Sequence, residues 1–301
     1  MADRNLSIAS VRPLVSIVIP SLNAAGSIGR CLQSICSQTA TNYEVLILDG
    51  KSVDDTKEIV RRFQTDFANI HFYSESDRGT YDAMNKGISR ASGDWLLFLG
   101  ADDELHDANV LDDISRVLSN QRADIVYGDV VLVGDNLFGK DGSFYDGQFD
   151  KKKIIRQNIC HQSIFYKRTV FTSLGSYKLD YPVNADWDIN LQCFARLEPL
   201  YVSRVISCFS SGGQSGSNLD RFIELDRILN SKRYFSIGYF SPWFRGEAKA
   251  FYRIAASQVR RRSYLKALFF TFVAIYQSPG EVLRYAIGRA SPSKNALKLD
   301  A

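Results

Sequence analysis

Three consecutive carboxylates, Asp102-Asp103-Glu104, follow the apolar run Trp95–Leu99 (WLLFL) after only two residues. Adjacent carboxylates repel unless a cation neutralises them, and a ligand set made of oxygens alone suits Mg2+ or Mn2+. A cation held by one or two carboxylates completes its shell with water and substrate phosphates. An isolated Asp-Asp also suits a solvated loop or a helix cap, so the company it keeps matters. Pro20-Ser21-Leu22-Asn23 follows LVSIVI, Asp49 follows YEVLIL, and Glu75-Ser76-Asp77-Arg78-Gly79 follows Ile70–Tyr73. In an open α/β sheet, ligands bind outside the carboxyl ends of the strands. Four polar exits in succession therefore outline one candidate site.

The elements that must position these residues alternate between two periods. Leu14–Ile19, Tyr43–Leu48, Ile70–Tyr73 and Trp95–Leu99 read as strands buried on both faces. Between them, Ser27–Ser37, a segment from Ser52 or Asp54 to about Phe67, and Tyr81–Ala91 read as helices. Strands alternating with helices predict a mostly parallel sheet flanked by helices. After residue 100 the alternation loosens. Val110–Leu118 and Asp188–Leu197 read as helices, and Asp124–Val133, Ser163–Tyr166 and Leu200–Val202 as strands. Beyond the low-complexity stretch SSGGQSGSN (210–218), Phe222–Tyr234, Phe244–Arg261, Ser263–Tyr276 and Glu281–Ile287 read as helices.

The charge divides at the same point. The net +4 of this 301-residue chain is the sum of two unlike parts. Residues 1–218 carry 22 Lys+Arg against 27 Asp+Glu, a balance of −5; residues 219–301 carry 15 against 6, a balance of +9. A domain boundary is expected near 218, with a basic helical extension over 219–301. With 45% hydrophobic and 23% charged residues, the composition excludes disordered, collagen-like and coiled-coil chains. Five cysteines (Cys31, Cys36, Cys160, Cys193 and Cys208) match no zinc pattern and no disulfide framework. The polar start MADRNLSIASVRP is not a secretory leader, and a reduced, cytoplasmic location is expected. The longest apolar stretch, Tyr264–Tyr276, falls short of the roughly 20 residues that span a bilayer.

Five blocks in order carry a resemblance: SIVIPSLN (16–23), VLILDGKSVDDT (45–56), SESDRGTYDAMNKGISRASGDWLLFLGADDE (74–104), CHQSIF (160–165) and NADWDINLQ (184–192). Together they resemble the family 2 glycosyltransferases, and ESDRGTYDAMNKGI is similar to the bacterial surface-polysaccharide branch. The resemblance covers about residues 14–216. It implies the GT-A nucleotide-diphospho-sugar transferase fold over 1–218, with a nucleotide-binding half at about 14–104 and an acceptor half at about 105–218. It implies that Pro20, Leu22, Asn23, Asp49, Ser52, Asp77, Asn85, Lys86 and Asp102 surround the nucleotide-sugar. Asp103, with Asp102 as a second candidate, is implied as the ligand of Mn2+ or Mg2+. Asp186 is implied as the general base on the acceptor hydroxyl, with Asp188 as its rival; two residues apart on a helix, they face different ways. His161, Gln162 and Trp187 fall where the family lines the donor or acceptor pocket. Gly212, Gly213 and Ser215 resemble a phosphate or lid loop.

The chain also departs from the family. Lys51 stands where Gly is usual, Asp55 replaces a second Gly, and Gly100 stands where Asn or Asp is more usual. Asn184-Ala185 precedes Asp186, so the companion acid of the base motif is absent. The resemblance implies an inverting transfer of one sugar, from a UDP-sugar first among nucleotide-sugars, to a lipid-linked or growing bacterial glycan: O-antigen, capsule or exopolysaccharide. The alternatives are a sugar-nucleotide nucleotidyltransferase and an inactive sugar-nucleotide-binding protein. The first should carry a Gly-rich basic loop after its first strand, which PSLNAAGSIGR lacks. The Arg cluster at 260–262 beside YLKALFFTFVAIY has the composition of a helix on an anionic membrane, or of a helical pair packed on the catalytic domain. The expected place is the cytoplasm, peripheral on the inner face of the bacterial plasma membrane, with no nucleic-acid partner.

Overall fold

The structure is a computed structural model that describes residues 12–120, 122–135, 139–145, 147–210 and 220–280. The chain divides into two compact units, Met1–Asn218 and Leu219–Ala301. In the first, β1 (Val15–Ser21), α1 (Ile28–Cys36), β2 (Tyr43–Asp49), α2 (Thr56–Asp66), β3 (Ile70–Ser74), α3 (Thr80–Arg90) and β4 (Trp95–Phe98) follow in order. The strands pair in parallel as β3-β2-β1-β4, with Ser21 beside Asp49 and Asp49 beside Ser74 at their carboxyl ends. Side chains alternate between the two faces of a strand. Ile17, Ile19, Val45, Ile47 and Leu97 share one buried cluster with Ile28, Cys31, Leu32 and Ile35 of α1. The opposite face, with Val18 and Leu48, receives α3 at Gly87. Cover on both sides is why these strands are continuous apolar runs.

The second half of this unit contains β5 (Glu104–Leu105), α4 (Val110–Asn120), β6 (Ile125–Val133), β7 (Phe144–Tyr145), α5 (Lys151–Arg156), β8 (Ile164–Lys167), α6 (Thr169–Leu174), α7 (Ala185–Arg196) and β9 (Leu200–Ser210). The sheet order is β3-β2-β1-β4-β8-β6-β9-β5, with β7 added on β6. β8 runs antiparallel to both β4 and β6, while β6 and β9 are parallel, so the sheet is mixed beyond β4. Two of the boundaries that differ from the sequence expectation bear on the site. β9 continues to Ser210 instead of stopping at Val202, because its pairing with β6 resumes past a register shift near Asp129. α7 begins at Ala185, three residues before the expected start, which puts Asp186 in its first turn. Every residue from Ala185 to Phe194 is buried, so this helix shows no polar face by which its start could be recognised.

One loop residue bears directly on the sequence. Lys51 adopts φ +65°, in the left-handed region where a side chain is strained and glycine is not. The usual glycine at this place therefore has a conformational reason. Lys51→Gly is expected to stabilise the protein by up to about 1 kcal/mol, less whatever the freer unfolded chain takes back. A rise in the urea midpoint at unchanged slope checks this; a fall shows that the lysine makes a compensating contact.

In the second unit, a π-helical turn at Phe222–Asp226 leads into α8 (Arg227–Phe235), and a 3-10 turn at Pro242–Phe244 precedes α9 (Ala248–Arg260) and α10 (Tyr264–Gln277). α9 and α10 pack against each other, and Phe251, Ile254, Phe270, Val273 and Ala274 are among their buried residues. Gln277 Nε2 donates to the carbonyls of Tyr239 (2.6 Å) and Ser241 (3.1 Å), and Arg227 grips Glu247 with both terminal nitrogens. The helix expected at Glu281–Ile287 lies outside the described residues. Among the described residues no helix is long and apolar enough to cross a membrane.

Candidate functional site

A cleft opens over the carboxyl ends of β1 and β4. Pro20, Leu22 and Asn23 line one side, Asp77 and the start of α3 another, and Gly100, Asp102 and Asp103 the floor. Ser21 Oγ also lies here, buried and without a hydrogen-bond partner among the described residues. A buried hydroxyl left unpaired is costly, which sets Ser21 apart from the bonded polar groups around it. Asp77 comes close because residue 50 is glycine: a Cβ there would stand 2.7 Å from Asp77 Oδ2. Asp77 Oδ1 accepts from the Gly79 N–H at 2.9 Å, which fixes the loop before α3.

Asp103 is 2% exposed, and its two oxygens are separately held. Oδ1 accepts from the Ser210 N–H at 3.0 Å and Oδ2 from Gln162 Nε2 at 2.9 Å. Burial, and then the neighbouring charge of Asp102, push its carboxyl up to about 6, against the pull of those two hydrogen bonds and of His161. This site is short of positive charge. Gly100 explains how the two carboxylates fit: a Cβ there would meet Asp103 Oδ2 at 2.5 Å and Asp102 Oδ1 at 2.8 Å. The glycine, where the family more usually has Asn or Asp, leaves the space in which both acids turn inward. Among the described residues no group of three or more His, Cys, Asp or Glu could hold a metal ion by itself. Two oxygen-bearing side chains next to an open cleft still suit a hard divalent cation, which takes the rest of its shell from water and phosphate. The residues present fit that group, with Asp103 and Asp102 as its holders.

A second cleft adjoins the first. Tyr81, Tyr145, Asn158, Val183, Asp186 and Trp187 are among its lining residues, and His161, Gln162 and Phe209 belong to both clefts. Asp186 is 5% exposed. Its Oδ1 accepts from Trp187 N–H at 2.9 Å and lies 2.7 Å from the Tyr81 hydroxyl; Oδ2 accepts from Asn158 Nδ2 at 2.8 Å. His161 Nδ1 stands 3.5 Å from the same Oδ2. Burial, then the charge of Asp186, raise the Tyr81 hydroxyl well above its ordinary range, so it remains a neutral donor. Trp187 is fixed by its Nε1 donating to the Ile154 carbonyl at 2.6 Å. The 3-10 turn His161–Ser163 therefore presents consecutive side chains to the two acids, His161 to Asp186 and Gln162 to Asp103.

Several expected residues lie elsewhere. Asp188, the rival base, lines neither cleft; its Oδ2 pairs with Lys178 Nζ at 2.7 Å and is 3.4 Å from Gln192 Nε2. Asp49 and Ser52 stand behind the first cleft and do not line it. Asp49 accepts from the Ser52 hydroxyl at 2.5 Å and the Ser74 hydroxyl at 2.6 Å, tying together the loops after β2 and β3. Asn23 reaches the cleft, but its Oδ1 accepts from the Val53 N–H, and it takes φ +50° as asparagine tolerates. Asn85 and Lys86 also line neither cleft. Both ends of the Asn85 amide hold the Tyr177 backbone at 2.9 Å, and Lys86 Nζ donates to the Ser76 carbonyl at 2.6 Å, bracing the loop that carries Asp77. Gly212, Gly213 and Ser215 lie outside the described residues. The sequence reading missed Tyr81 and Asn158; the polar run RQN (156–158) before CHQ was the available signal for the latter. It also missed the Ser210 N–H, which only the full length of β9 delivers.

Known proteins share the sequence pattern and the fold of this chain. Residues 16–175 match the family model described as Glycosyl transferase family 2. The chain is 39% identical over 215 residues to a "PGL/p-HBAD biosynthesis glycosyltransferase" of Mycobacterium bovis, covering 69% of this chain and 82% of that protein. It is 34% identical over 175 residues to "Glycosyltransferase AglE" of Haloferax volcanii, covering 56% and 57%. Among solved structures, S. aureus TarS 1–349 in complex with UDP-GlcNAc superposes with a TM-score of 0.62 at 15% identity, over 90% of this chain and 92% of that one. The mannosyltransferase PcManGT of Pyrobaculum calidifontis, in complex with GDP-Man and Mn2+, gives 0.54 at 17% identity, over 95% and 82%.

Proposed function

From the premise that this chain belongs to glycosyl transferase family 2, and is a glycosyltransferase of GT-A fold, we propose that it moves one sugar from a nucleotide-sugar, a UDP-sugar first, to a hydroxyl of a lipid-linked or growing surface glycan, with inversion. The observation that carries this reading is the pair of clefts with a shared wall, one holding Asp103 and the other Asp186. The unpaired Ser21 hydroxyl, Leu22 and Asp77 receive the nucleoside side of the donor, and its diphosphate lies toward Asp102 and Asp103. A divalent cation, when bound there, supplies positive charge against the diphosphate that leaves. The acceptor occupies the second cleft, where Trp187, Tyr81 and Tyr145 offer apolar ring surface for a sugar or its carrier. Asp186 takes the proton of the attacking hydroxyl, and Tyr81, Asn158 and His161 hold its carboxylate toward that task. Attack from the acceptor cleft comes opposite the leaving diphosphate, so a single displacement inverts the anomeric carbon.

The supports for a glycolipid or surface-glycan acceptor are the named biosynthetic role of the mycobacterial relatives and the basic second unit. That acceptor puts the enzyme at the inner face of a bacterial plasma membrane as a peripheral protein. The reading is tested by thermal melting with UDP-, GDP- and dTDP-sugars, each with and without Mn2+ or Mg2+. One nucleotide class is expected to raise the melting temperature, and only with the cation present; stabilisation at 100 Kd amounts to about 2.7 kcal/mol. Absence of a shift with all three classes overturns it. Formation of pyrophosphate from a sugar phosphate and a nucleoside triphosphate would identify a nucleotidyltransferase instead.

A further inference from the structure

α10 carries large apolar residues on both its buried and its outward side, but only one side is covered. Ala267, Phe270, Val273, Ala274 and Gln277 are buried against the rest of the second unit. Of the other positions, Leu265, Leu268, Phe269, Phe272, Ile275 and Tyr276 recur at helical spacing along the opposite side, and all six are exposed: Leu265 at 86%, Leu268 at 69% and Phe272 at 59%. Phe240 extends this surface, with its ring edge-on to Phe269, Phe272 and Tyr276 at 5.1–6.2 Å between centroids. A contiguous apolar patch of this kind marks a docking surface. At 14 residues, or about 21 Å, the helix is too short to cross a bilayer but long enough to lie in its surface.

Charge selects the occupant. Residues 248–277 contain six cations (Lys249, Arg253, Arg260, Arg261, Arg262 and Lys266) and no Asp or Glu. Arg260, Arg261 and Arg262 are exposed immediately before α10, and Lys266 is exposed next to Leu265. A second copy of this surface would bring like charges together, whereas anionic headgroups neutralise them while the apolar side enters the acyl boundary. Tyr264 and Tyr276 at the two ends of the helix have the amphipathic rings that favour this depth.

We propose that the outward side of α10, flanked by Arg260–Arg262 and Lys266, docks the protein on anionic phospholipid. This deepens the proposed function by naming the surface that meets the membrane, and it stands on observations independent of the sugar-transfer site.

Co-sedimentation of the full chain with phosphatidylglycerol-rich vesicles and with phosphatidylcholine vesicles tests it. The protein is expected to pellet with the first, to a degree that falls as salt rises, and weakly with the second. Leu265→Ser/Leu268→Ser/Phe272→Ser is expected to weaken binding tenfold or more, because three large apolar side chains no longer enter the lipid. Arg261→Glu/Lys266→Glu should weaken it by a similar factor. Because these positions are exposed, both variants should keep the parent's circular dichroism and its nucleotide-sugar thermal shift. Failure of the parent to bind anionic vesicles, or unchanged binding by the apolar variant, overturns the proposal. So does a dimer in sedimentation velocity that the apolar variant dissolves without any vesicle binding. Loss of the thermal shift in the parent would instead count against the sugar-transfer reading, whatever the vesicles show.

Discussion

Asp103→Asn is expected to abolish sugar transfer while making the ligand-free protein more stable. The loss follows from the carboxylate's place facing the donor cleft: charge stabilisation of a leaving diphosphate is worth several kcal/mol, so a fall of about 10³-fold is the scale to expect. The cation-dependent thermal shift with nucleotide-sugar should vanish with it. The stability gain has a separate cause. Folding buries this carboxyl beside Asp102 and moves it from the ordinary 3.8 up to about 6. In that interval the folded state holds a proton that the unfolded chain has lost, so stability falls as pH rises from about 4 to about 6 and stays reduced above. The cost of ionising it at neutral pH is on the order of 3 kcal/mol, since one unit corresponds to 1.36 kcal/mol. An asparagine never ionises, and its amide can keep the Ser210 and Gln162 contacts once Gln162 turns its own amide over. Melting of parent and variant without cation at pH 5 and pH 8 checks this. The variant's advantage should be larger at pH 8; an advantage that shrinks with rising pH contradicts the buried, charge-starved carboxyl.

Asp186→Asn is expected to lower kcat by about 10²–10⁴-fold, the range of a lost general base, with the nucleotide-sugar thermal shift unchanged. The separation of effects follows from geometry: Asp186 lines the second cleft and is absent from the lining of the first. Asp188→Asn provides the contrast. It breaks the pairing with Lys178 in a buried setting, so it should reduce the melting temperature and leave transfer within a few fold once the protein is folded. Steady-state transfer to acceptor, read together with melting for both variants, decides between the two acids. Full activity in Asp186→Asn would remove it from the mechanism; a collapse of activity in a well-folded Asp188→Asn would put the base two residues further on.

The parallel half of the fold was legible because β1, β2 and β4 are covered on both faces, which compels unbroken apolar runs such as VSIVI and WLLF. The acids at their exits were legible for the same reason, since polar residues can stand only where the cover ends. Beyond β4 the signals weaken for physical causes that can be named. β9 shifts register against β6 near Asp129, and Ser203-Arg204 interrupt its pattern, so its last residues and the N–H that grips Asp103 did not stand out. α7 is enclosed all round, so periodicity gave no start for the turn that carries Asp186. The family resemblance supplied Asp186, but not the Tyr81 and Asn158 contacts made to it from segments 105 and 28 residues away. Resemblance also implied Asp49, Asn85 and Lys86 around the ligand; their side chains bond Ser74, the Tyr177 backbone and the Ser76 carbonyl, contacts that no sequence pattern announced.

The wall common to the two clefts sets a further property of the molecule. Among the described residues, His161, Gln162 and Phe209 are the lining residues that the clefts share. In the transfer proposed above, a sugar crossing from donor to acceptor would pass these three side chains, and so would any water that competes for it. Closing such a passage suppresses hydrolysis of an activated intermediate or donor. On the reading proposed above, the fit of an imidazole, a carboxamide and a phenyl ring against the two substrates limits wasteful cleavage of the nucleotide-sugar.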